Sequence, residues 1–306
     1  MVDIVIVNWN SGHYLKDCIA AVLKSDFSDF HVHIVDNGST DNSTVAFEGL
    51  KKINILYQKK NIGFGKACNK ALEAAYGEFI LLLNPDTKIE TSTLRKAVDY
   101  LRSNASCTVY GCAQTGDDGK VLRTCGRFPT VTRFCYDVLG LSTLFPNKFK
   151  NGFIRTDWDH GRSAAVDHVM GSFYLIRREW INKHGFMDDR YFVYLEDLDV
   201  SKRVKESGGT IYYDRNNIIY HKGGGVSAQV KALRLFYSLH ARHVYIKKHF
   251  SPSAFFIASF LMLFPGYVVR MAAAIFVKMN LREARETTQA YWKLYKHLLF
   301  RNQLPH

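Results

Sequence analysis

The chain has 306 residues, of which 47% are hydrophobic and 23% charged, so it can bury a sizeable core, and this composition argues against a disordered protein. Lys and Arg outnumber Asp and Glu by 41 to 28, and the net charge of +13 favours an anionic partner: nucleic acid, nucleotide, diphosphate or an acidic membrane surface. The length allows one large α/β domain with an appendage, or two modest domains.

Strand and helix alternate through the first hundred residues. The predicted strands cover 4–8, 33–36, 53–57 and 78–84, and the clearest helices cover 14–23 and 91–103. Helices that start on polar residues are expected after the second and third strands. The alternation predicts an α/β fold with a mostly parallel, doubly wound sheet flanked by helices. In such sheets ligands bind in the crevice at the carboxyl ends of the strands.

The pattern changes after residue 107. The predicted elements are a hairpin turn at 116–120, a strand at 172–177, an amphipathic helix at 195–207 and strands at 210–214 and 218–221. After the glycines at 223–225 the chain turns helical, basic and rich in aromatic residues.

The cysteines and the N-terminus both indicate a cytoplasmic protein. No Cys-x-x-Cys pair and no zinc-finger spacing occurs, and Cys18 and Cys68 fall in apolar-periodic segments, where a free thiol packs as a small hydrophobe. The first ten residues, MVDIVIVNWN, lack the basic region and the long apolar stretch of a signal peptide. We therefore expect reduced cysteines and no export.

Polar side chains follow three of the predicted strands. Asn8 and Asn10 come at the end of the first, Asp36 at the end of the second and Asp86 after the fourth. Because the carboxyl ends of parallel strands meet at one edge of a sheet, these side chains are expected at one crevice. The stretch 35–43, VDNGSTDNS, has the composition of an ordinary loop and helix N-cap as well, and that alternative stays open.

The turn NPD at 84–86 presents one carboxylate at the end of the most apolar strand. Pro85 fixes the backbone, so Asp86 is expected to bind a divalent cation, Mg²⁺ or Mn²⁺, that would bridge to a diphosphate. The alternative is that Pro85 only stops the strand and Asp86 starts a turn.

The stretch NIGFGKACN at 61–69 partly matches a dinucleotide-binding fingerprint. Gly63 and Gly65 precede a helix, and Asp86 follows about twenty residues later, as that fingerprint requires. Cys68 replaces the third glycine, and the motif opens a later strand–helix unit instead of the first, which weakens the match. An NAD-dependent oxidoreductase is therefore the alternative from a different functional class.

Three acidic residues, Glu196, Asp197 and Asp199, open the predicted helix at 195–207, and basic residues follow. This distribution complements the helix dipole and by itself predicts a solvated charged face. The aromatic run YFVY at 191–194 favours a pocket instead, because such a run is costly to expose. His221 ends a strand beside the glycines, although a lone histidine is more often structural than a ligand.

Seven motifs in order resemble the inverting family 2 glycosyltransferases, and most closely their rhamnosyltransferase-like branch, over about residues 3–227. They are VNWN at 7–10, VDNGSTDNS at 35–43, NIGFGKACN at 61–69, LLLNPD at 81–86, GSFYLIRR at 171–178, YFVYLEDLDVSKRVKESG at 191–208, and His221 with the glycines after it. The resemblance implies a glycosyltransferase A fold.

The resemblance also implies roles for particular residues. Asp197 would be the catalytic base, and Asp86 and His221 would bind the metal. Asn84 stands at the first position of the family's Asp-x-Asp metal motif. The donor nucleotide would be held by Asn8, Asn10, Asp36, Asn37, Gly63, Gly65, Lys66 and Asn84.

We therefore predict that 1–227 is the catalytic domain and that 228–306 is a helical, membrane-associating region. The expected reaction transfers a sugar to a growing bacterial surface polysaccharide such as O-antigen or to a lipid-linked glycan. The favoured donor is dTDP-rhamnose, which would supply L-rhamnose. Galactofuranosyl and N-acetylhexosaminyl transfer from a UDP-sugar are the close alternatives. A nucleic-acid partner is not expected, because polar residues cluster at strand ends.

The apolar stretch 253–269 bears on location. It is short for a membrane span and is broken by Pro265 and Gly266. We predict an interfacial helix on the cytoplasmic face of the inner membrane, with a buried helical hairpin as the alternative.

Overall fold

Two units make up the chain in the computed structural model, which describes residues 1–145, 148–149, 153–155, 157–223 and 231–300. The first unit comprises Met1–Gly126, Trp158–Asp189 and Glu196–Val226, and the second comprises Arg127–Asp157, Arg190–Leu195 and Ser227–His306. The catalytic role predicted for 1–227 and the membrane role predicted for 228–306 stay predictions.

The first unit is built on a nine-stranded mixed sheet. Its strands are β1 (Val2–Asn8), β2 (Phe30–Asp36), β3 (Ile53–Tyr57), β4 (Phe79–Leu83), β5 (Thr87–Ile89), β6 (Cys107–Thr115), β8 (Ala164–Val166), β10 (Phe173–Arg177) and β11 (Thr210–His221). Two short strands, β7 (Cys125–Gly126) and β9 (His168–Val169), form a separate antiparallel pair. The order of the large sheet is β3-β2-β1-β4-β10-β6-β11-β5, and β8 pairs with β11.

The strand order changes direction between β1 and β4. Strands β1, β2 and β3 run outward in sequence and in parallel, while β4 lies on the other side of β1 and is also parallel to it. A crevice at the carboxyl ends of strands is expected where the order reverses in this way. The ends of β1 and β4 therefore carry the predicted site.

Strand β10 is antiparallel to both β4 and β6, which makes the sheet mixed within the mostly parallel architecture that the sequence predicts. Two local predictions need correction. The segments 210–214 and 218–221 form one strand, β11, with a register shift between Asp214 and Ile218. Only a 3₁₀ turn, Val45–Phe47, follows β2 where a helix was expected, because the polar residues before it bond to Asn8 and Asn10 instead of capping a helix.

Helices cover both faces of this sheet. They are α1 (His13–Leu23), α2 (Phe64–Leu72), α3 (Thr93–Ser103), α6 (Arg178–His184) and α7 (Glu196–Glu206). Strand β4 shows why both faces are closed: Leu81 and Leu83 belong to a buried cluster with residues of α1 and α3, and Ile80 and Leu82 belong to another with residues of α2 and α7. The continuous apolar run is thus buried on both sides, as a central strand requires.

The second unit is helical. Its elements are α4 (Val131–Val138), α5 (Leu141–Leu144), α8 (Lys231–His249), α9 (Pro252–Leu263), α10 (Pro265–Ala272), a π-helical turn (Ala273–Val277) and α11 (Leu281–Phe300). Its core includes Phe134, Phe236 and Tyr291, which are almost fully buried. A partly buried ion pair joins Arg242 to Asp137 at 2.8 Å and links α8 to α4.

Candidate active site

The end of β1 is tied to the loop that follows β2 through the buried side chain of Asn8. Its Nδ2 lies within hydrogen-bonding distance of Asp36 Oδ1 at 3.2 Å, Ser39 Oγ at 3.1 Å and Ser43 Oγ at 2.8 Å. Both strands therefore end at one place, as their parallel register of Asn8 against Asp36 requires. The amide donors of Asn8 are used inside the protein, so Asn8 holds the loop in shape.

A second set of bonds fixes the loop after β2 against the entry to α2. The Asn37 amide donates to Asn61 Oδ1 at 3.0 Å, and Asn37 Oδ1 accepts from the Ile62 backbone N–H at 2.9 Å. At Gly38, φ is 77° and an added Cβ would lie 2.8 Å from the Lys60 backbone, so only glycine fits. The two loops approach each other closely and border one end of the crevice.

The remaining predicted nucleotide residues lie around the same loops. The Thr40 N–H donates to Asn10 Oδ1 at 2.8 Å. Gly63, with φ 91°, enters α2, Gly65 is buried in its first turn, and Lys66 beside it is exposed. Glycine at position 63 permits the positive φ, and the exposed Lys66 places a cation in the first turn of α2.

The sheet order rules out the dinucleotide interpretation of this stretch. In a dinucleotide fingerprint, the strand before the glycines lies next to the strand whose end carries the acidic residue. Here the strand before Gly63 is β3, at the edge, and Asp86 follows β4, with β2 and β1 between them. The spacing of Gly63 and Asp86 in the sequence therefore does not correspond to neighbouring strands.

Asp86 faces His221 at the other end of the crevice from the nucleotide loops. The two residues come together because β5 pairs antiparallel with β11, and this pairing places Thr87, the neighbour of Asp86, directly across from His221. His221 Nε2 lies 3.3 Å from Asp86 Oδ1, and both side chains are buried. On the far side of the ring, His221 Nδ1 lies 2.8 Å from Gln114 Oε1, which also accepts a bond from Ser172 Oγ at 2.9 Å.

The bond to Gln114 determines the histidine tautomer. A side-chain carbonyl oxygen only accepts, so with the amide orientation assigned from this network Nδ1 carries the proton. In the neutral ring the lone pair of Nε2 then points toward the Asp86 carboxylate. Two electron-rich atoms at this distance repel unless a cation or a proton lies between them.

The pair therefore fits a divalent cation. Two ligands about 2.1 Å from an octahedral ion and at right angles to each other are separated by about 3.0 Å, close to the 3.3 Å between His221 Nε2 and Asp86 Oδ1. A His whose second nitrogen bonds a carbonyl is the usual form of a metal ligand. Within the described ranges no group of three or more His, Cys, Asp and Glu could hold a metal, so the other ligands would be water or substrate oxygens.

A cavity of about 220 Å³ opens beside Asp86. It is polar, and its rim carries two ion pairs: Lys88 with Asp17 at 2.8 Å, and Lys222 with Asp117. The residues that line it are His13, Tyr14, Asp17, Asp86, Thr87, Lys88, Tyr220 and Lys222. The mixture of aromatic rings, cations and carboxylates suits a polar, hydroxyl-bearing ligand.

The two adjacent acids at the start of α7 differ in their surroundings. Glu196 is buried and its Oε2 has no hydrogen-bond partner within the part of the chain that the structure describes. Burial, and then the charge of Asp197, raises the pKa of Glu196 to about 8. Asp197 is partly exposed, at 18% for its side chain, and is the acid of the two that solvent reaches.

Backbone groups fix the orientation of Asp197. Its Oδ2 accepts from the Gly171 N–H at 2.7 Å, and its Oδ1 accepts from the Leu198 N–H at 2.8 Å. A Cβ at Gly171 would lie 3.0 Å from Asp197 Oδ2, so a side chain there would crowd the carboxylate. Just before α7, Tyr194 and Leu195 have φ of 75° and 64°, a strained backbone of the kind found at functional sites.

A buried polar chain lies behind Asp197. His168 Nε2 is 3.8 Å from Asp197 Oδ2, and His168 Nδ1 lies 2.9 Å from Ser201 Oγ, which in turn is 3.0 Å from the Tyr174 hydroxyl. Burial lowers the pKa of His168, against the opposing effect of the Asp197 and Asp167 charges. The neutral imidazole lies near the carboxylate on the side of the protein interior, beyond hydrogen-bonding distance.

The third acid of α7 is structural. Asp199 is fully buried and pairs with Arg203 Nε at 3.0 Å one turn later, and Arg203 also donates to the carbonyls of His184 and Gly185. Asp199 is therefore held in a buried ion pair and is not part of a solvated charged face, whereas Asp197 is partly exposed.

Gln114, His168 and Gly171 were not singled out from the sequence. Gln114 is the polar residue near the end of the apolar strand β6, a signal that could have been noticed. Gly171 opens the motif GSFYLIRR, but nothing in that motif indicates its contact with an acid, and His168 lies three residues before it with no local signal of its own.

Comparison with known proteins identifies the family of the chain. The model of glycosyl transferase family 2 matches residues 3–185. The N-acetylglucosaminyl-diphospho-decaprenol L-rhamnosyltransferase of Mycobacterium tuberculosis is 23% identical over 236 residues, which cover 72% of this chain and 76% of that protein.

Two solved structures share the fold. The mannosyltransferase PcManGT from Pyrobaculum calidifontis, in complex with GDP-Man and Mn²⁺, aligns with a TM-score of 0.58 at 15% identity over 98% of this chain and 88% of its own. S. aureus TarS 1–349 in complex with UDP-GlcNAc aligns with a TM-score of 0.55 at 17% identity over 98% and 82%. These likenesses confirm the predicted glycosyltransferase A fold. The chain therefore belongs to glycosyl transferase family 2.

Proposed function

We propose that this glycosyltransferase moves a sugar from a nucleoside diphosphate donor to a hydroxyl group of a glycan, with inversion at the anomeric carbon. The observation that carries the proposal is the pairing of Asp86 with His221 at 3.3 Å, with the tautomer of His221 fixed by Gln114. This pairing provides two ligands for Mg²⁺ or Mn²⁺ at the crevice where a diphosphate would lie. Asn84 would contact the diphosphate beside it.

Asp197 is the proposed general base. An acceptor hydroxyl is a poor nucleophile, and a carboxylate within hydrogen-bonding reach lowers the barrier by taking its proton during the attack. The Gly171 N–H holds Asp197 Oδ2, so the carboxylate is oriented before the acceptor arrives. When bound, the cation would supply positive charge that stabilises the departing diphosphate. A single displacement needs no second carboxylate as nucleophile, which is why inversion is proposed.

The donor nucleoside is proposed to bind at the ends of β1 and β2. Asp36 and Asn10 would contact it directly, together with Gly63, Gly65 and Lys66 at the entry to α2. Asn8 and Asn37 would act by holding the two loops, because their amides already bond to other parts of the protein. Lys66 is exposed and could reach a phosphate.

L-Rhamnose from dTDP-rhamnose is the proposed donor sugar. The support is the similarity to the mycobacterial L-rhamnosyltransferase together with the motif order of the rhamnosyltransferase-like branch. The alternative is an N-acetylhexosamine from a UDP-sugar, which the likeness to TarS with UDP-GlcNAc favours. Galactofuranose is a third donor to test.

The proposed acceptor is a lipid-linked glycan, an intermediate of a surface polysaccharide such as O-antigen. The name of the mycobacterial relative specifies a diphospho-decaprenol substrate, and a prenol-linked acceptor would be found at a membrane. We propose that the protein is peripheral on the cytoplasmic face of the inner membrane, with 228–306 as the associating region.

A donor panel tests the proposal. The purified protein is incubated with Mg²⁺ or Mn²⁺, a lipid-linked glycan and, in turn, dTDP-rhamnose, UDP-N-acetylglucosamine, UDP-galactofuranose or GDP-mannose. We expect a deoxyhexose mass increment on the acceptor only with dTDP-rhamnose, and thermal stabilisation by dTDP but not by NAD. A mass increment of an N-acetylhexosamine would identify a UDP-N-acetylhexosamine as the donor instead. If NMR of the product showed that the anomeric configuration is retained, the single displacement would be contradicted.

A further inference from the structure

The segment Pro252–Val277 carries a row of exposed apolar side chains. We call Phe256, Ile257, Phe260, Phe264 and Val268 the outer face. Phe256 is 70% exposed and Phe260 58%, although large aromatic residues of a globular protein are normally covered. At about 100° per residue these five positions fall within about 120° of one another around the helix. They form one continuous stripe.

The opposite side of the same segment is buried in the protein. Ala258, Met262 and Gly266 point away from the outer face and are buried in the core of the second unit. At Gly266 an added Cβ would lie 2.9 Å from Val138 of α4, so the two helices touch. One side of the helix therefore packs on the core, and the outer face has no covering within the described part of the chain.

The break between α9 and α10 is also anchored to the protein. Pro265 has no N–H, so it cannot bond the carbonyl one turn earlier. The hydroxyl of Tyr291 in α11 donates to Met262 O at 3.2 Å, and the hydroxyl of Tyr295 donates to Leu263 O. These bonds satisfy carbonyls at the end of α9 and hold the segment against α11.

By length and composition alone the segment could cross a bilayer. It is the one helix among the described residues that passes this test, with 26 residues, and 17% of its most apolar 18-residue stretch is buried. Spanning would require the inner side, Ala258, Met262 and Gly266, to leave the core and the two tyrosine bonds to break. The packing therefore favours a helix that stays docked and offers only its outer face.

Charge indicates which surface covers the outer face. Residues 228–306 contain twelve Lys and Arg and two Glu, a net charge of +10 out of +13 for the whole chain. In α11, Trp292 is 59% exposed and Lys296 Nζ lies 5.0 Å from the centre of its ring. Exposed aromatic residues among cations are typical of proteins on anionic membrane surfaces. A second positively charged copy would repel the first.

We propose that the outer face inserts into the headgroup–acyl boundary of an anionic bilayer, with the helix lying in the membrane plane and still packed on α4 and α11. This inference deepens the location that the proposed function assumes, and it rests on that function only for the identity of the membrane. It gives the C-terminal unit a defined membrane-binding surface.

Vesicle flotation tests the proposal with the full chain. The protein is mixed with vesicles of phosphatidylcholine alone or of equal parts phosphatidylcholine and phosphatidylglycerol. We expect binding to the anionic vesicles only, weakened by salt, and a loss of at least tenfold in the partition coefficient for the double variant Phe256→Ser/Phe260→Ser. The matched control is Tyr76→Ser, which removes a ring that is 78% exposed in the first unit and should leave binding unchanged.

Equal vesicle binding by the double variant and the wild type would overturn the proposal, and so would a wild type that does not bind anionic vesicles. Wild-type protein that resists alkaline extraction from membranes would also overturn it, because a spanning helix behaves in that way. A dimer that the double variant converts to a monomer, without vesicle binding, would assign the face to a second copy. Sugar transfer to a detergent-solubilised acceptor is measured in parallel. Its retention in the double variant separates failure of membrane binding from failure of the proposed function.

Discussion

The crevice of the sheet unit and the outer face of the helical unit depart from ordinary folding patterns in opposite directions. In the crevice, polar side chains such as Asn8, Asp86 and His221 are buried. On the outer face, large apolar side chains such as Phe256 and Phe260 are exposed. Buried polar groups and exposed apolar patches are the two deviations that carry functional information, because folding alone favours neither.

The difference between the two regions lies in how each is stabilised. In the crevice, hydrogen bonds within the protein compensate part of the burial, as from Asn8 to Ser43 and between His221 and Gln114, and a cation would compensate the facing Asp86 and His221 Nε2. The outer face has no such compensation and requires an external partner. Substitutions that change a single polar group therefore test the crevice, whereas the outer face must be tested by substitutions that reduce its exposed apolar area.

The largest expected effect is at Asp86. Replacing Asp86 by Ala should lower the rate of transfer by about 10³-fold, since charge stabilisation of a leaving group by a bound cation is worth several kcal/mol. The fold should be retained, because this strand-end carboxylate contributes little packing. Transfer rates across a Mn²⁺ and Mg²⁺ titration provide the measurement, with the exposed Asp118→Ala as control. Unchanged turnover at every metal concentration would remove the metal role from Asp86.

A smaller effect is expected at Gln114. Gln114→Ala removes the acceptor that fixes the His221 tautomer, so the metal concentration giving half-maximal activity should rise by about 10- to 100-fold. Activity at saturating metal should be close to that of the wild type. Gln114→Glu keeps an acceptor for Nδ1–H and should preserve the wild-type metal dependence. If Gln114→Ala titrates with metal as the wild type does, the proposed role of His221 as a ligand is not supported.

The stability of the sheet unit should reveal the state of Glu196. Burial raises the pKa of its carboxyl from 4.5 to about 8, so the folded state binds more protons than the unfolded state between these values. Stability is then lost as pH rises through this window. Glu196→Gln, which stays neutral, should raise the melting temperature by a few degrees at pH 8 and change it little at pH 4. An equal shift at both pH values would contradict the buried, raised-pKa carboxyl.

In the helical unit the pH dependence runs the other way and is the smallest effect. Burial, and then the neighbouring His297 and His243, lowers the pKa of His240 from 6.5 to about 4. The unfolded state binds more protons between these values, so stability falls as pH drops from about 6.5 toward 4. His240→Leu should flatten this part of the stability–pH curve, while the exposed His31→Leu should not. Parallel curves for wild type and His240→Leu would contradict the prediction.

Local sequence patterns were sufficient for much of the crevice. The apolar run of β4 predicts a strand buried on both faces, and the polar residues after β1, β2 and β4 predict a shared edge. Both follow from side-chain period and from the geometry of parallel strands, which are local properties. The interfacial helix was likewise suggested by composition, and the exposure of its outer face is compatible with it.

The rest depends on contacts between distant residues. His221 and Gln114 lie 107 positions apart, and the bond between them requires β6 and β11 to pair in one register. The position of antiparallel β10 between β4 and β6 is likewise set by tertiary contacts, and no local sequence pattern predicts it. Adjacent acids illustrate the same limit. Glu196 and Asp197 look equivalent in sequence, yet Glu196 is buried with an Oε2 that no hydrogen bond reaches among the described residues, and Asp197 accepts a bond from the Gly171 N–H.

The most direct test of the account is the turnover of Asp197→Asn. This change keeps the size of the side chain but removes its ability to accept the acceptor's proton. We expect a fall in turnover of about 10²-fold or more, with donor affinity nearly unchanged, because the nucleotide is held by other residues. Turnover within a few-fold of wild type for Asp197→Asn, together with a severe loss for Glu196→Gln, would contradict it and assign the base to Glu196.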